Sequence, residues 1–383
     1  MDNDSKRILV IGSSSSPHVV NRMAGFAKRG YQITILTDRI AGLEEMNEVS
    51  LYPTYHQINM SSVFSKTLYK INRFKELWNI YKELKSFKPD IVHIHYALNR
   101  LGIIFALLLR KPIIVSVMGG DILFNEKTVK RIDQYLVKLL LKRANEITTK
   151  SDYLKHEVLK FGNYGHKTRK IIWGVDAVFF YPFEESSLRD ELNIPNKAQI
   201  IFCPKSLHPI YNIDLIIKAV SIVRDDFPNV FLILTDFHSD KEYKAMLIDL
   251  IEKLSLQKLV MIMDHIGHKE IVRYYNISDI IIGIPRYDGL PQSLLESMAC
   301  AKPHILGNLE RYKEIVEDGK SAMFTDFKPK DIAQSIKKLL SDKALRKAIG
   351  DKSREIVLNE ADIQKNLNLV ETIYEKYLPV HNN

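Results

Sequence analysis

Two doubly wound α/β domains are the architecture this sequence predicts, and three observations predict it. The chain has 383 residues, more than one ordinary hydrophobic core accommodates and enough for two. Short apolar runs of strand length alternate with helix-length segments along the whole chain, as in parallel sheets covered by helices. The alternation starts afresh at Gln199, which makes the second half a second domain of the same kind rather than an appendage.

Composition narrows the class. Hydrophobic residues make up 46% and charged residues 26% of the chain, the balance of a globular protein. The two cysteines, Cys203 and Cys300, lie in apolar runs without a CxxC pair, and no signal-peptide pattern precedes them. That usage predicts a reduced, cytoplasmic setting. The apolar run Leu101 to Leu109 falls well short of the roughly 20 residues a membrane helix needs. Charge is uneven: residues 1–180 carry 28 Lys+Arg against 16 Asp+Glu, and residues 181–383 carry 27 against 30. The basic first half predicts an anionic partner. A nucleic acid is disfavoured, because the basic residues ride on helices without interleaved exposed aromatics or a known module.

Element by element, Arg7 to Gly12 reads as a buried strand, followed by a polar turn, a helix to about Arg29, and the strand Tyr31 to Leu36. The turn lacks GxGxxG, so no dinucleotide fingerprint is present. His18 at its end is either a helix-start residue or one that faces a ligand crevice. Phe64 to Phe87 reads as a basic amphipathic helix, either packed on the sheet with a solvated Lys face or lying on an anionic membrane. The strand Pro89 to Tyr96 carries His93 and His95, whose spacing lacks a third metal ligand nearby. Pro112 to Met118 is a strand opening into Gly119-Gly120-Asp121, which presents backbone and a carboxylate at the carboxyl edge of the sheet. A second basic helix runs from Thr128 to Lys142, the strand Glu146 to Lys150 follows, and Ser151 caps the next helix.

In the second half, Gln199 to Cys203, Val230 to Thr235, Leu259 to Met263, Ile280 to Ile284 and His304 to Leu306 read as strands. Helices are expected at Ile213 to Val223, from Glu270, from Pro291 to Lys302-Pro303, at Asp331 to Leu340, Lys343 to Val357 and Asp362 to Tyr377. The stretch from Asp288 to Pro303 stands out. A buried strand feeds a short loop and a helix N-terminus, which suits a phosphate. Asp288 in the loop and Glu296 in the helix are then placed to accept hydrogen bonds from sugar and ribose hydroxyls on either side of a diphosphate.

An acid, seven residues and Glu296, followed by Ser-Met-Ala-Cys-Ala-Lys-Pro, resembles the EX7E signature of the retaining family 4 glycosyltransferases, which have the GT-B fold. Asp288 stands where Glu is more usual and Ala301 where Gly is common. Gly119-Gly120-Asp121 resembles the family's Gly-Ser-Asp turn, with Met118 where many relatives have His. Gly174-Val-Asp176 with Phe180 and Pro182 resembles the interdomain linker. Lys205 matches a diphosphate-binding Arg, whereas Tyr211 occupies the position of a Lys. His265-Ile-Gly267-His268 is similar to a loop that contacts the base, and Glu314 to Gly319 to a block covering the other side of the donor pocket.

The resemblance implies an α/β GT-B protein of two Rossmann-like domains facing a cleft. Residues 1–180 would form the acceptor side, 181–361 the nucleotide-sugar domain, and the helix within 362–383 would cross back. It implies catalytic roles for Asp288, Glu296, Lys205 and Asp121. Donor contacts would come from Glu296, Lys205, Gly267, His268, Pro291, Gln292, Ser293 and Arg286, and acceptor contacts from Gly119, Gly120, Asp121 and His18. No metal and no cofactor beyond the nucleotide diphosphate sugar are expected; the only Asp-x-Asp, at Asp2 and Asp4, lies at the very start of the chain. The expected activity is transfer of a sugar to a glycan, lipid-linked acceptor in surface polysaccharide assembly, at the inner face of the cytoplasmic membrane. A sugar-nucleotide epimerase or hydrolase of the same fold, and a catalytically weak partner subunit, are the other readings.

Overall fold

The computed structural model describes residues 6–13, 17–37, 55–59, 70–123, 130–237, 239–288 and 290–379, without the side chains of 17, 18, 21, 55–57, 59 and 70–73. The chain forms two compact units, Met1–Trp173 with Ile363–Asn383, and Gly174–Asp362.

The first unit is built on seven strands: β1 (Arg7–Ile11), β2 (Gln32–Thr37), β3 (Tyr55–Asn59), β4 (Ile91–His95), β5 (Ile113–Val117), β6 (Glu146–Thr149) and β7 (Thr168–Lys170). Their order is β3-β2-β1-β4-β5-β6-β7, with every pairing parallel. Strands covered by helices on both faces need continuous apolar sequence, and all five residues of β4 and of β5 are buried. On one face the helices Lys70–Phe87, Arg100–Leu109, Arg131–Arg143 and Asp152–Leu159 bury Leu84, Phe105, Leu140 and Leu154. On the other, the helix Pro17–Lys28 and the late helix Ile363–Glu375 share a core of Met23, Phe26, Leu367, Val370 and Tyr374. Gly25 permits their contact, because a Cβ there would lie 2.6 Å from Leu367 Cδ1.

The second unit has six strands, β8 (Gln199–Cys203), β9 (Val230–Thr235), β10 (Val260–Met263), β11 (Ile280–Gly283), β12 (His304–Gly307) and β13 (Met323–Thr325). They follow the order β10-β9-β8-β11-β12-β13, again parallel throughout. In each sheet the strand order reverses beside the first strand, between β1 and β4 and between β8 and β11. Crevices outside the carboxyl ends of strands at such reversals are where doubly wound sheets bind ligands.

Two expectations are corrected. The division falls after Trp173 rather than near Phe180. Val175 N donates to Ala361 O at 2.8 Å and Phe180 packs on Tyr275, so 174–180 joins the second unit. The helix Lys70–Phe87 buries Ile80 and Leu84 and leaves Phe74 and Trp78 exposed at 74% and 56%, because the core-facing stripe runs through 77, 80, 81, 84 and 87 and misses them. Those aromatics sit among exposed Lys75, Lys82 and Lys85, so the basic helices do carry interleaved exposed aromatics. The part of that helix expected at 64–69 lies outside the described residues, as do 124–129 ahead of the helix Arg131–Arg143. Among the described residues, no helix is long and apolar enough to cross a membrane.

Candidate active site

Three of the expected residues meet at the carboxyl ends of β8 and β11. Lys205 leaves β8 two residues after its end, and its stem crosses the bare end of β11: a Cβ on Gly283 would touch Lys205 Cε at 3.6 Å. Its Nζ donates to Asp288 Oδ2 at 3.1 Å, with both side chains largely buried. The ring of Tyr211 lies 5.5 Å from the same ammonium. Burial by itself would lower the Lys205 pKa, but the Asp288 carboxylate and Tyr211 outweigh it and leave the ammonium above its ordinary value. Lys205 is therefore a held, permanent cation. Tyr211, at the place of a second cation in the resemblance, supplies a ring face to the first one.

Asp288 is fastened from three sides. Besides Lys205, Tyr312 Oη donates to Oδ2 at 3.3 Å, and the Arg311 guanidinium donates to the Asp288 carbonyl. Tyr312 and Arg311 stand just before the Glu314 to Gly319 block, and nothing in the sequence singles them out. The short Asp side chain thus reaches the lysine and the tyrosine together.

Glu296 points inward from the helix Gln292–Ala299, only 4% exposed. Tyr275 Oη donates to its Oε2 at 3.0 Å. Burial raises the Glu296 pKa to about 7, with the Tyr275 hydrogen bond and the charge of Lys205 opposing the rise. The carboxyl is thus poised near neutrality, and its ionised form, the better acceptor for an incoming hydroxylated ligand, gains as pH rises through that value. Tyr275 is itself completely buried against Phe180 and Phe202. No spacing rule points to it; its only signal in the sequence is a tyrosine repeated, as Tyr274-Tyr275, in an apolar helix.

The helix stops before the expected Lys302-Pro303. Cys300 is its C-cap and Ala301 adopts φ 54, the left-handed conformation that glycine takes without strain. That is the physical content of the glycine preference at this position.

The remaining second-unit residues are less enclosed. Pro291 is the extended N-cap, Gln292 Nε2 donates to Gly174 O at 2.5 Å, and the Ser293 carbonyl accepts from Ser297 Oγ at 2.6 Å. The first-turn amides of such a helix have no partner within it. Arg286 is exposed and its Nε donates to Asn212 Oδ1 at 3.2 Å, while Asn212 Nδ2 donates to Ile284 O. Gly267 faces open space, and His268 packs on Phe179 and Phe180.

In the first unit, Gly119 has φ 121, a conformation L side chains rarely adopt, and a Cβ on Gly120 would lie 3.5 Å from Tyr96 Oη. Asp121 is fully buried, and its carboxylate accepts from the backbone N–H groups of Ala97 at 2.7 Å, Met118 at 3.0 Å and Gly119 at 2.8 Å. Burial raises its pKa and these amides counter the rise. Asp121 thereby clasps the ends of β4 and β5 together. Tyr96, overlooked in the sequence, stands beside it with φ 76. The side chain of His18 lies outside the described residues. His93 is hydrogen-bonded to Tyr374 Oη at 2.6 Å and Ser116 Oγ at 2.8 Å, so neither of its ring nitrogens is open to a metal.

Residues 184–356 match the family described as glycosyl transferases group 1, and residues 7–151 match the one described as glycosyl transferase 4-like. Both halves of the chain thus resemble glycosyltransferases, the second half those of group 1. The chain is 25% identical over 309 residues to spore coat protein SA of Bacillus subtilis, covering 77% of this chain and 80% of that protein. It is 24% identical to the capsular polysaccharide biosynthesis glycosyltransferase CapM of Staphylococcus aureus, over 73% and 74% of the two chains. Its fold is that of the Anabaena protein Alr3699/HepE crystallised with UDP and glucose, with TM-score 0.82, 16% identity, and coverage of 97% of this chain and 100% of that one. Two Rossmann-like units of this kind constitute the GT-B fold.

Proposed function

We propose that this glycosyltransferase moves a sugar from a nucleotide diphosphate donor to a glycan acceptor carried on a lipid, with retention at the anomeric carbon and without a metal, in surface polysaccharide assembly. The observation that carries the donor half is the Lys205–Asp288 pair next to buried Glu296 at the reversal of the second sheet. On this reading the diphosphate takes Lys205 together with the first-turn amides of Gln292 and Ser293, whose fixed dipoles favour developing negative charge on the leaving group. The departing phosphate oxygen takes the acceptor hydroxyl's proton, and Glu296 accepts the ribose hydroxyls. The capsular relative and the UDP-glucose complex of the Anabaena structure support the class of reaction and make UDP-sugars the first donors to test.

The lipid half rests on the first unit. Phe74 and Trp78 stand exposed among Lys75, Lys82 and Lys85, and Ile132 and Tyr135 among Arg131, Lys138 and Lys142. Aromatic and basic groups together suit the interface of an anionic bilayer. Glu296→Ala should abolish transfer from the preferred donor while the circular dichroism spectrum is unchanged; a fully active variant sinks the site assignment. Liposome binding that ignores anionic lipid content and salt sinks the membrane half.

An epimerase or hydrolase would act on the donor with no acceptor present, and product analysis with and without acceptor separates these from transfer.

A further inference from the structure

The first unit holds a second polar cluster, at the reversal between β1 and β4, that the transferase reading does not use. Arg22, on the helix Pro17–Lys28, is 2% exposed, and among the described residues none of its three guanidinium nitrogens has a hydrogen-bond partner. His95, the last residue of β4, is also 2% exposed, and neither ring nitrogen has a partner among the described residues. Both flank Trp173: the Arg22 guanidinium carbon lies 5.0 Å from the indole centroid, and the His95 ring meets it edge-on at 5.0 Å. The Lys150 ammonium lies 5.4 Å from the same indole. The neighbouring His93 is, by contrast, fully engaged by Tyr374 and Ser116.

The electrostatics are one-sided. The titratable groups acting on Arg22, His93 and His95 are one another and Tyr374, and none of them is a carboxylate. Burial lowers the Arg22 pKa to about 10, which leaves it charged at neutral pH. A buried guanidinium with neither counter-charge nor hydrogen bonds is strongly unfavourable, and such groups are normally paired. Its planar fork is the side-chain geometry that grips two oxygens of a carboxylate or phosphate at once, and a neutral imidazole adds one N–H donor.

We propose that Arg22 and His95, walled by Trp173, bind a small oxyanion, a phosphate or carboxylate group, at the carboxyl edge of β1 and β4. The oxyanion is either a free ion or the anionic end of a larger ligand. Its binding is measurable without any sugar transfer, so the inference does not stand or fall with the donor site.

The test uses the full chain titrated with inorganic phosphate and, separately, acetate at constant ionic strength, followed by thermal unfolding and calorimetry. Wild type and Lys205→Met should both be stabilised saturably by at least one of the two ions. Arg22→Met should weaken that binding at least about tenfold, equivalent to about 1.4 kcal/mol, and His95→Phe, which keeps the ring on Trp173, should weaken it less. In oxyanion-free buffer Arg22→Met should melt above wild type. The proposal is overturned if wild type responds to neither ion, or if Arg22→Met and His95→Phe both respond as wild type does. Glucose 6-phosphate binding more tightly than inorganic phosphate identifies the end of a larger ligand; the reverse order identifies a free ion.

Discussion

Glu296 holds its proton more tightly in the folded chain than in the unfolded one, where a glutamate titrates near 4.5. A carboxyl raised in this way contributes stability that is complete below about pH 4.5 and is lost as pH climbs through about 7, a span worth roughly 3 kcal/mol. The difference in melting temperature between wild type and Glu296→Gln, scanned from pH 5 to 8, should therefore drift against wild type as pH rises; a pH-independent difference would refute the raised pKa. Donor binding should run the other way, strengthening as the carboxylate forms. Because Tyr275 opposes the rise, Tyr275→Phe should move the lower limb of the donor-binding pH profile to higher pH and raise KM more than it lowers kcat, with an unchanged profile counting against this positioning role. Lys205, Asp288 and Glu296 were legible through the resemblance of their loop and of the Asp288 to Glu296 spacing to a family pattern, and the fold brings the three together. Tyr275 was not, since it reaches Glu296 across 21 residues through a packing that no local pattern encodes. At Asp121 the turn was legible but the clasp was not, because a buried carboxylate held by backbone amides looks, in sequence, the same as one facing a ligand.

At the scale of elements, the turn after Glu296's helix is fixed by another helix, Lys343–Glu360. A Cβ on its Gly350 would lie 2.1 Å from the Ala301 carbonyl oxygen, and backbone cannot yield as a flexible side chain does. Gly350→Ala should destabilise the second unit by about 1–3 kcal/mol, the usual range for overpacking, and denaturant unfolding should show it as a lower midpoint. A neutral result would mean the two helices separate easily. Helices with a clear apolar period were legible to the residue, as at Ile213–Val223. The strands β3 and β7 were missed because they are edge strands; β7 is Thr-Arg-Lys with two of three residues exposed, and a polar tripeptide carries no hydrophobic alternation to read. The exposed aromatics of the helix Lys70–Phe87 were missed for a related reason. Its apolar residues exceed the width of the stripe the sheet can cover, and only packing decides which of them, here Phe74 and Trp78, stay outside.

The molecule as a whole has two separate cores, each closed over its own sheet. Repetition of the strand and helix alternation made that duplication legible, whereas the boundary at Trp173 depended on hydrogen bonds from Val175 and Gln292 that tie the linker to the second core. Removal of residues 363–383 takes away Leu367, Val370, Ile373 and Tyr374 from the first core, and with them the ion pair of Glu371 with Arg29. Calorimetry of the shortened chain should show the first unit's transition lost or lowered and the second unit's retained; loss of both would show that the units do not unfold independently. The helix Ile363–Glu375 also sets an order of events on the ribosome. Domains fold as units as they emerge, yet the first unit waits for its final helix, which is made only after all of Gly174–Asp362. The first unit is therefore completed after the second, and until the helix Ile363–Glu375 is made Met23, Phe26 and Tyr31 present an apolar face to solvent or to a chaperone.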